Sequence, residues 1–282
     1  MTTRRITSVA IACAVAALVL AIVATASLAL GSRQIAPAVV WDALVHGGVS
    51  QDAQVVTQLR VPRTLAALVI GGALGLAGSI MQAMTRNPLA DPGVLGINAG
   101  AAFVVVTVTA ATGVTTRMGT LVASLLGAGV AAALVFAVSG SGGGSRSRLA
   151  LAGIAVSAAL ASLTQAVLAA NQFAFNEFRY WASGSLEGVD MASVVAAGAV
   201  IACGGVVAAL ISSALGVLAI GEDTAVSLGV RVRLIRTLGV VAVTALAGGA
   251  TALGGPLTFV GLAVPLLVRR VVGARQGTIA LW

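Results

Sequence analysis

Long apolar runs, separated by short polar stretches, make up most of the chain. A transmembrane helix needs ~20 apolar residues, because each residue advances ~1.5 Å through a hydrocarbon core of ~30 Å. Eight segments meet this requirement: 7–30, 64–84, 95–114, 118–138, 149–170, 191–219, 234–250 and 256–272. No segment shows the ~10-residue alternating pattern of a membrane barrel strand. The pattern therefore predicts an all-α polytopic membrane protein with about eight transmembrane helices, in a single membrane domain over residues 1–282.

Apolar length alone does not fix the ends of four of these segments. The first follows Arg4 and Arg5 like a signal peptide, but its apolar run exceeds the 7–15 residues typical of one, so we predict an uncleaved span. The segment 191–219 is long enough to tilt or to end in an interfacial turn. The last two segments meet around Gly254–Pro256, and the pattern leaves their boundary open.

The composition agrees with a membrane protein. Of its residues, 59% are hydrophobic and only 9% are charged. In a soluble domain roughly 25% of the residues are charged, so this chain has too few charges to cover a water-exposed surface. The net charge of +8 would suggest a nucleic-acid partner in a soluble protein. In a membrane protein, arginine at the ends of spans sets orientation instead, so we expect the lipid bilayer and not nucleic acid as a partner.

The arginine distribution predicts an N-terminus on the cytoplasmic side. If each span crosses once from there, eleven arginines lie inside and five outside, as the positive-inside rule requires. The outer five are Arg33, Arg60, Arg63, Arg117 and Arg179. The same count puts the polar segments 86–96 and 221–233 inside and makes residues 31–63 a long external loop.

Catalytic chemistry is not indicated. The chain has no lysine, and therefore no phosphate-binding Gly-Lys-Ser/Thr loop, so we expect it not to be an enzyme and not to hydrolyse ATP by itself. No cofactor or metal cluster is predicted. We interpret the single histidine, His46, as a loop residue, and Cys13 and Cys203 as small core or lipid-facing residues. All carboxylates fall in loops or at span ends, which argues against a proton- or sodium-coupled carrier.

Three polar features could carry a transport function. Amides and hydroxyls within spans are typical of helix–helix contacts, but Gln165 is the best candidate to line a polar path. Glu222 and Asp223 open a short amphipathic helical pattern within 221–233, too short to span, which fits either a docking element for a soluble partner or a solvated loop. A helix-breaking stretch, RNPLADPGVLG, occupies 86–96.

Two glycine-rich runs echo each other. GGALGLAG at 71–78 and GGATALGG at 248–255 each lead to a stretch that contains proline and arginine. Transporters are often built from repeated halves, although an alanine- and glycine-rich chain also produces such matches by chance. If the repeat is real, its second copy starts at the seventh span and stops after the eighth.

Stretch 71–102, GGALGLAGSIMQAMTRNPLADPGVLGINAGAA, closely resembles the signature of the FecCD-type permeases. These are the membrane subunits of ABC importers for ferric siderophores, haem and vitamin B12. Further similarities follow in the family's order and extend the resemblance over 41–272: RVPRTLA (60–66), RLALAG (148–153), YWASGSLEGVD (180–190), GEDTAVSLGV (221–230) and FVGLAVP (259–265).

The resemblance implies a ten-span permease subunit of an ATP-driven importer, with ferric siderophores as the expected cargo. Its expected partners are a second permease subunit, cytoplasmic ATPase subunits and an external substrate-binding protein, in a bacterial cytoplasmic membrane. The resemblance implies ATPase coupling by Glu222, Asp223, Ala225, Leu228 and Gly229, and docking of the binding protein by Arg60 and Arg63. It implies a cytoplasmic gate at Arg146 and Ser147, and a path lined in part by Gln165. The signature loop contains Arg86, Asn87, Pro88, Asp91, Pro92 and Gly96.

The chain departs from the family pattern in three places. It reads Val264-Pro265-Leu266 where the family usually has Val-Pro-His, and it has Arg146 where the gate is often a small hydroxyl. It ends at Trp282, before the family's last two spans, so about eight of ten helices are expected. The alternative to an importer subunit is therefore a truncated relative that does not transport, or a scaffold.

Overall fold

A computed structural model of the chain describes residues 3–31, 34–47, 50–114, 116–139 and 146–272, and every regular element among these residues is helical. The α-helices are α1 Thr3–Ala29, α2 Pro37–Val45, α3 Gln51–Gln54, α4 Val61–Thr85, α5 Ile97–Thr112, α6 Arg117–Ser139, α7 Arg146–Ala170, α8 Gln172–Ala182, α9 Met191–Ile220, α10 Glu222–Ser227, α11 Val232–Gly254 and α12 Val260–Val272. A π-helical turn, Val55–Arg60, joins α3 to α4, and a 3-10 turn, Pro92–Leu95, precedes α5.

Each of the eight predicted spans corresponds to a helix, and the polytopic helical class is confirmed. Six helices in the described part are long and apolar enough to cross a membrane. The other two are shorter: α5 has 16 residues and α12 has 13. Both follow a non-helical stretch that replaces their first turns.

The stretch 31–63 is more ordered than the external loop that its sequence suggests. It contains α2, and residues 51–60 run directly into α4 to give a continuous helical segment Gln51–Thr85. Ser50 begins that segment, because its hydroxyl accepts a hydrogen bond from the Ala53 amide at 3.2 Å. The π-helical turn comes just before Pro62, whose missing N–H cannot continue the regular ladder.

The centre of the molecule is formed by α4 and α11, the most buried of the long helices, with α5, α6, α9 and α12 packed around them. Glycines allow the closest approaches. A Cβ on Gly78 of α4 would overlap the backbone of Gly261 on α12, and one on Gly100 of α5 would overlap the backbone of Gly127 on α6. In contrast, the apolar stretch of α1 has no buried residue.

Two broken helix pairs meet inside this body. The first break, 86–96, joins α4 to α5, and the second, 255–259, joins α11 to α12. The Asn98 side chain holds them together: its Nδ2 donates to the Leu257 carbonyl at 3.3 Å, and its Oδ1 accepts from the Thr251 hydroxyl at 2.8 Å. Each break contains a proline, Pro88 in the first and Pro256 in the second, and each precedes a short helix. A repeat would show this arrangement in both of its copies.

The first break turns back into the helical body. A small cavity beside it is lined by Asp91, Pro92 and Gly261 and by Leu74, which lies eleven residues before the end of α4. At ~1.5 Å per residue, that is about 16 Å inside the end of the helix. The two charged residues of this break therefore lie at different depths: Arg86 is exposed, whereas Asp91 is half-buried and deeper.

Candidate functional site

The short helix α10 is fixed to the helical body by two of its residues. Ala225 is fully buried and packs in one cluster with Leu218 and Val232. The Glu222 carboxylate accepts a hydrogen bond from the Arg236 guanidinium of α11 at 2.8 Å, in a partly exposed ion pair. These contacts set the orientation of the segment relative to α9 and α11.

The opposite face of α10 is exposed and mixes apolar with acidic side chains. Asp223 and Val226 are exposed, and Leu228 exposes 65% of its surface. Gly229, at φ 78°, ends the helix: its amide donates to the Val226 carbonyl, and the Val230 amide donates to the Ala225 carbonyl at 2.9 Å. Thus the predicted coupling residues divide into anchors, Glu222 and Ala225, and an exposed face.

Side-chain caps give the signature loop its shape. Arg86 ends α4 with a left-handed backbone at φ 50°. The Asn87 side chain accepts a hydrogen bond from the Leu89 amide at 3.0 Å, and the Asp91 carboxylate accepts one from the Gly93 amide at 2.7 Å. Gly96, at φ 71°, then starts α5. Pro88 is exposed and Pro92 is buried, so the loop has a water-facing beginning and an interior end.

The beginning of the signature loop lies against α10. A Cβ on Gly221, the residue before α10, would be 3.5 Å from a guanidinium nitrogen of Arg86. Leu89, three residues further on, is exposed like Val226 and Leu228. Two segments far apart in sequence therefore present apolar side chains at the same end of the molecule, which we call the coupling surface (Arg86–Leu89 with Asp223–Gly229).

Arg60 and Arg63 lie at the other end of α4 and have different environments. Arg60 is only 8% exposed, and its guanidinium donates to the carbonyls of Leu28 and Ala29 at 2.7 and 2.8 Å. It thereby caps the carboxyl end of α1. Arg63 is exposed. The structure thus gives Arg60 a packing role and leaves Arg63 as the accessible cation.

A cavity of about 360 Å³ opens at this same end, which sequence reasoning did not predict. Its lining includes Arg117, whose guanidinium donates to the Glu187 carbonyl at 2.9 Å, and Trp181. Asp190 begins α9 nearby; hydrogen bonds from Ser193, together with the charge of Arg117, hold the pKa of its carboxyl below the usual value. The lining residues come from α5, α6, α8, α9 and α11 and from the loop before α9, so only the tertiary fold assembles them.

Comparison with known proteins decides the family. The FecCD transport family matches residues 11–282.

The chain belongs to the FecCD transport family.

Similar proteins in this family are permeases. The ferric enterobactin transport system permease protein FepD of Escherichia coli is 42% identical over 260 residues, covering 91% of this chain and 78% of FepD. The ferric enterobactin permease FepG of the same organism is 36% identical over 225 residues, covering 79% of this chain and 68% of FepG. The chain is therefore a multi-pass membrane permease of the ABC transporter type.

A solved structure supports the same fold. The inward-facing conformation of a metal-chelate type ABC transporter superposes on this chain with a TM-score of 0.80 at 26% identity, over 94% of this chain and 82% of the other. The all-helical permease architecture is thus shared between the two proteins.

The remaining residues expected to have family roles lie on α7. Gln165 is exposed and its neighbour Thr164 is buried, so the amide faces outward from this subunit. The helix begins at Arg146, but the side chains of Arg146 and Ser147 lie outside the described part of the structure. Among the described residues, no group of three or more His, Cys, Asp or Glu side chains could hold a metal ion, and Cys13 and Cys203 are both exposed.

Proposed function

We propose that this protein is the permease subunit of an ATP-driven importer of ferric siderophores in a bacterial cytoplasmic membrane. In this proposal the coupling surface faces the cytoplasm and binds a separate ATPase subunit, which hydrolyses the ATP. The observation that carries the proposal is the division of α10 into anchors and an exposed face: Glu222 and Ala225 hold it, while Asp223 and Leu228 remain available.

The anchors would transmit movement of the ATPase into the membrane. Displacement of α10 pulls on α11 through the Glu222–Arg236 ion pair, whose atoms are 2.8 Å apart. It also displaces Arg86, which lies beside Gly221 at the end of α4. Since α4 and α11 form the centre of the molecule, both contacts act on the most buried helices.

A second permease subunit would complete the translocation path. The exposed face of α7 includes Gln165, which we assign to the path, with Arg146 and Ser147 at its cytoplasmic gate. FepD and FepG of Escherichia coli, both similar to this chain, are named as permeases of ferric enterobactin transport, which supports both a pair of permeases and a ferric siderophore as cargo.

The external binding protein would dock at the opposite end of the molecule. Arg63 is an exposed cation there, and an arginine suits bidentate contact with an acidic side chain. Because Arg60 is committed to the carbonyls of α1, we assign docking to Arg63 and a positioning role to Arg60.

Replacement of the exposed face of α10 tests the ATPase assignment. Asp223→Arg and Leu228→Arg should each reduce co-purification of the ATPase subunit at least ten-fold, because the charge and the apolar contact lie on the proposed interface. The amount of permease in the membrane should not change, since neither side chain is buried.

Uptake of a ferric siderophore, haem and cobalamin in a strain that lacks the native permease identifies the cargo.

A matched control is Leu44→Arg, which changes an exposed leucine on α2 at the other end of the molecule. Its ATPase co-purification should equal that of the wild type. If the ATPase co-purifies normally with both α10 variants, the docking assignment is wrong. If haem or cobalamin is taken up and ferric siderophores are not, the cargo assignment is wrong while docking stands.

A further inference from the structure

A groove of about 590 Å³ runs along the outside of the helical body between α6 and α11, with Val200 of α9 also in its lining. Its lining is apolar except for Thr237 and Thr244. At its rim, Leu126 and Val241 are largely exposed. Because α6, α9 and α11 are all membrane spans, these exposed side chains meet lipid, so the groove opens into the bilayer and not into water.

An arginine stands at one end of this groove. Arg233, Thr237 and Val241 follow each other at intervals of four residues on α11, which places them on one face of the helix. Arg233 is exposed, and among the described residues it pairs with no carboxylate, whereas Arg236 on a neighbouring face pairs with Glu222. The groove therefore ends at a cation that is available to an anion.

The dimensions fit one lipid chain. From Arg233 to Ala245, the last groove residue of α11, there are twelve residues, or about 18 Å at ~1.5 Å per residue. One leaflet contributes about half of the ~30 Å hydrocarbon core, or about 15 Å. A phosphate held at Arg233 would therefore allow an acyl chain to lie along the whole groove.

The chemistry of the groove selects its occupant. An apolar groove that ends at an exposed arginine matches an acyl chain and a phosphate, the two parts of an anionic lipid. We propose that this groove binds one anionic phospholipid, with the phosphate on Arg233 and one acyl chain between α6 and α11.

Two pairs of variants separate the headgroup from the chain. Gly129 lines the groove, and a Cβ there would meet no atom within 4 Å, so Gly129→Leu fills the groove without disturbing the core. Its control is Gly205→Leu on α9, which also has open space but lies outside the groove. Arg233→Gln removes the headgroup contact, and Arg231→Gln changes an exposed arginine two residues away as its control.

Native mass spectrometry of the purified full chain measures the binding, with phosphatidylglycerol and phosphatidylcholine of identical chains as probes. The wild type should bind one phosphatidylglycerol about five-fold more tightly than phosphatidylcholine, as expected for one cation near an anionic lipid. Arg233→Gln should remove this preference, and Gly129→Leu should weaken binding of both lipids. Both controls should match the wild type.

Three results would overturn the proposal. The first is equal affinity of the wild type for the two lipids. The second is a Gly129→Leu variant that binds like Gly205→Leu. The third is a dimer of this chain that excludes phosphatidylglycerol and dissociates in Gly129→Leu, which would make a second copy the occupant.

Discussion

At the residue scale, charged residues of the same sign that are close in sequence have different environments and contacts. Glu222 and Asp223 are adjacent in sequence, yet one is paired with Arg236 and the other is exposed. Arg60 and Arg63 are three residues apart, and one is buried while the other is exposed. The sequence could predict the segment to which each belongs, but the face depends on residues such as Leu28 and Arg236 that lie far away in the chain.

Loss of Arg60 should release α1 from the helical body. In Arg60→Ala, the carbonyls of Leu28 and Ala29 lose the guanidinium as a donor, which we expect to cost about 1–3 kcal/mol. Amide hydrogen exchange at the end of α1, residues 20–30, should be faster than in the wild type. Arg63→Ala, which removes an exposed arginine from the same helix, is the control and should leave exchange unchanged.

Equal exchange rates in Arg60→Ala and Arg63→Ala would contradict the capping role. Reduced recovery of the external binding protein with Arg63→Ala alone would agree with the separate docking assignment.

At the element scale, apolar length predicted the spans but not their breaks. All eight segments contain a helix, but among the described residues six are long and apolar enough to cross a membrane, whereas α5 and α12 are shorter. The short helices α2 and α8 were missed, since each is shorter than a span. The inward turn of 86–96 could not be predicted either: Pro88 and Pro92 mark a break, but close contacts with the distant Gly153 and Gly261 determine where the loop goes.

The crossing of α4 and α12 should tolerate no side chain at Gly78. A Cβ there overlaps the backbone of Gly261, so Gly78→Val must push the helices apart, at an expected cost of about 1–3 kcal/mol or more. The thermal unfolding midpoint of the detergent-solubilised protein measures this effect. The control is Gly72→Val on the same helix, where a Cβ meets no atom within 4 Å.

The two valine variants share the same loss of glycine flexibility and the same β-branched side chain. A midpoint for Gly78→Val that equals that of Gly72→Val would therefore show that α12 does not approach α4 as closely as described.

At the scale of the whole molecule, polarity is distributed between the two ends. One end carries α10 and the beginning of the signature loop, and the other carries Arg63 and the cavity beside Arg117. The positive-inside rule predicts which end is cytoplasmic from the arginine count alone. The proximity of Arg86 to Gly221 at one end was not predictable, because the two residues follow spans that are not adjacent in sequence.

Cysteine labelling tests this orientation. In a background without Cys13 and Cys203, a membrane-impermeant maleimide should label Thr116→Cys in intact cells, because the exposed Thr116 lies between α5 and α6 at the proposed external end. It should label Ser227→Cys, in α10, only after permeabilisation. The reverse pattern would contradict a cytoplasmic N-terminus.

The Asn98 side chain has a consequence for how the two ends of the molecule are connected. It bonds to Thr251 and Leu257, so the signature loop cannot shift relative to the 255–259 break unless these bonds break or the break moves with it. Gly254 and Gly255, at the start of that break, also line the cavity at the far end. The Asn98 amide thus connects the stretch that begins beside α10 to the residues that line the cavity at the other end of the molecule, so that a movement at one end is passed to the other.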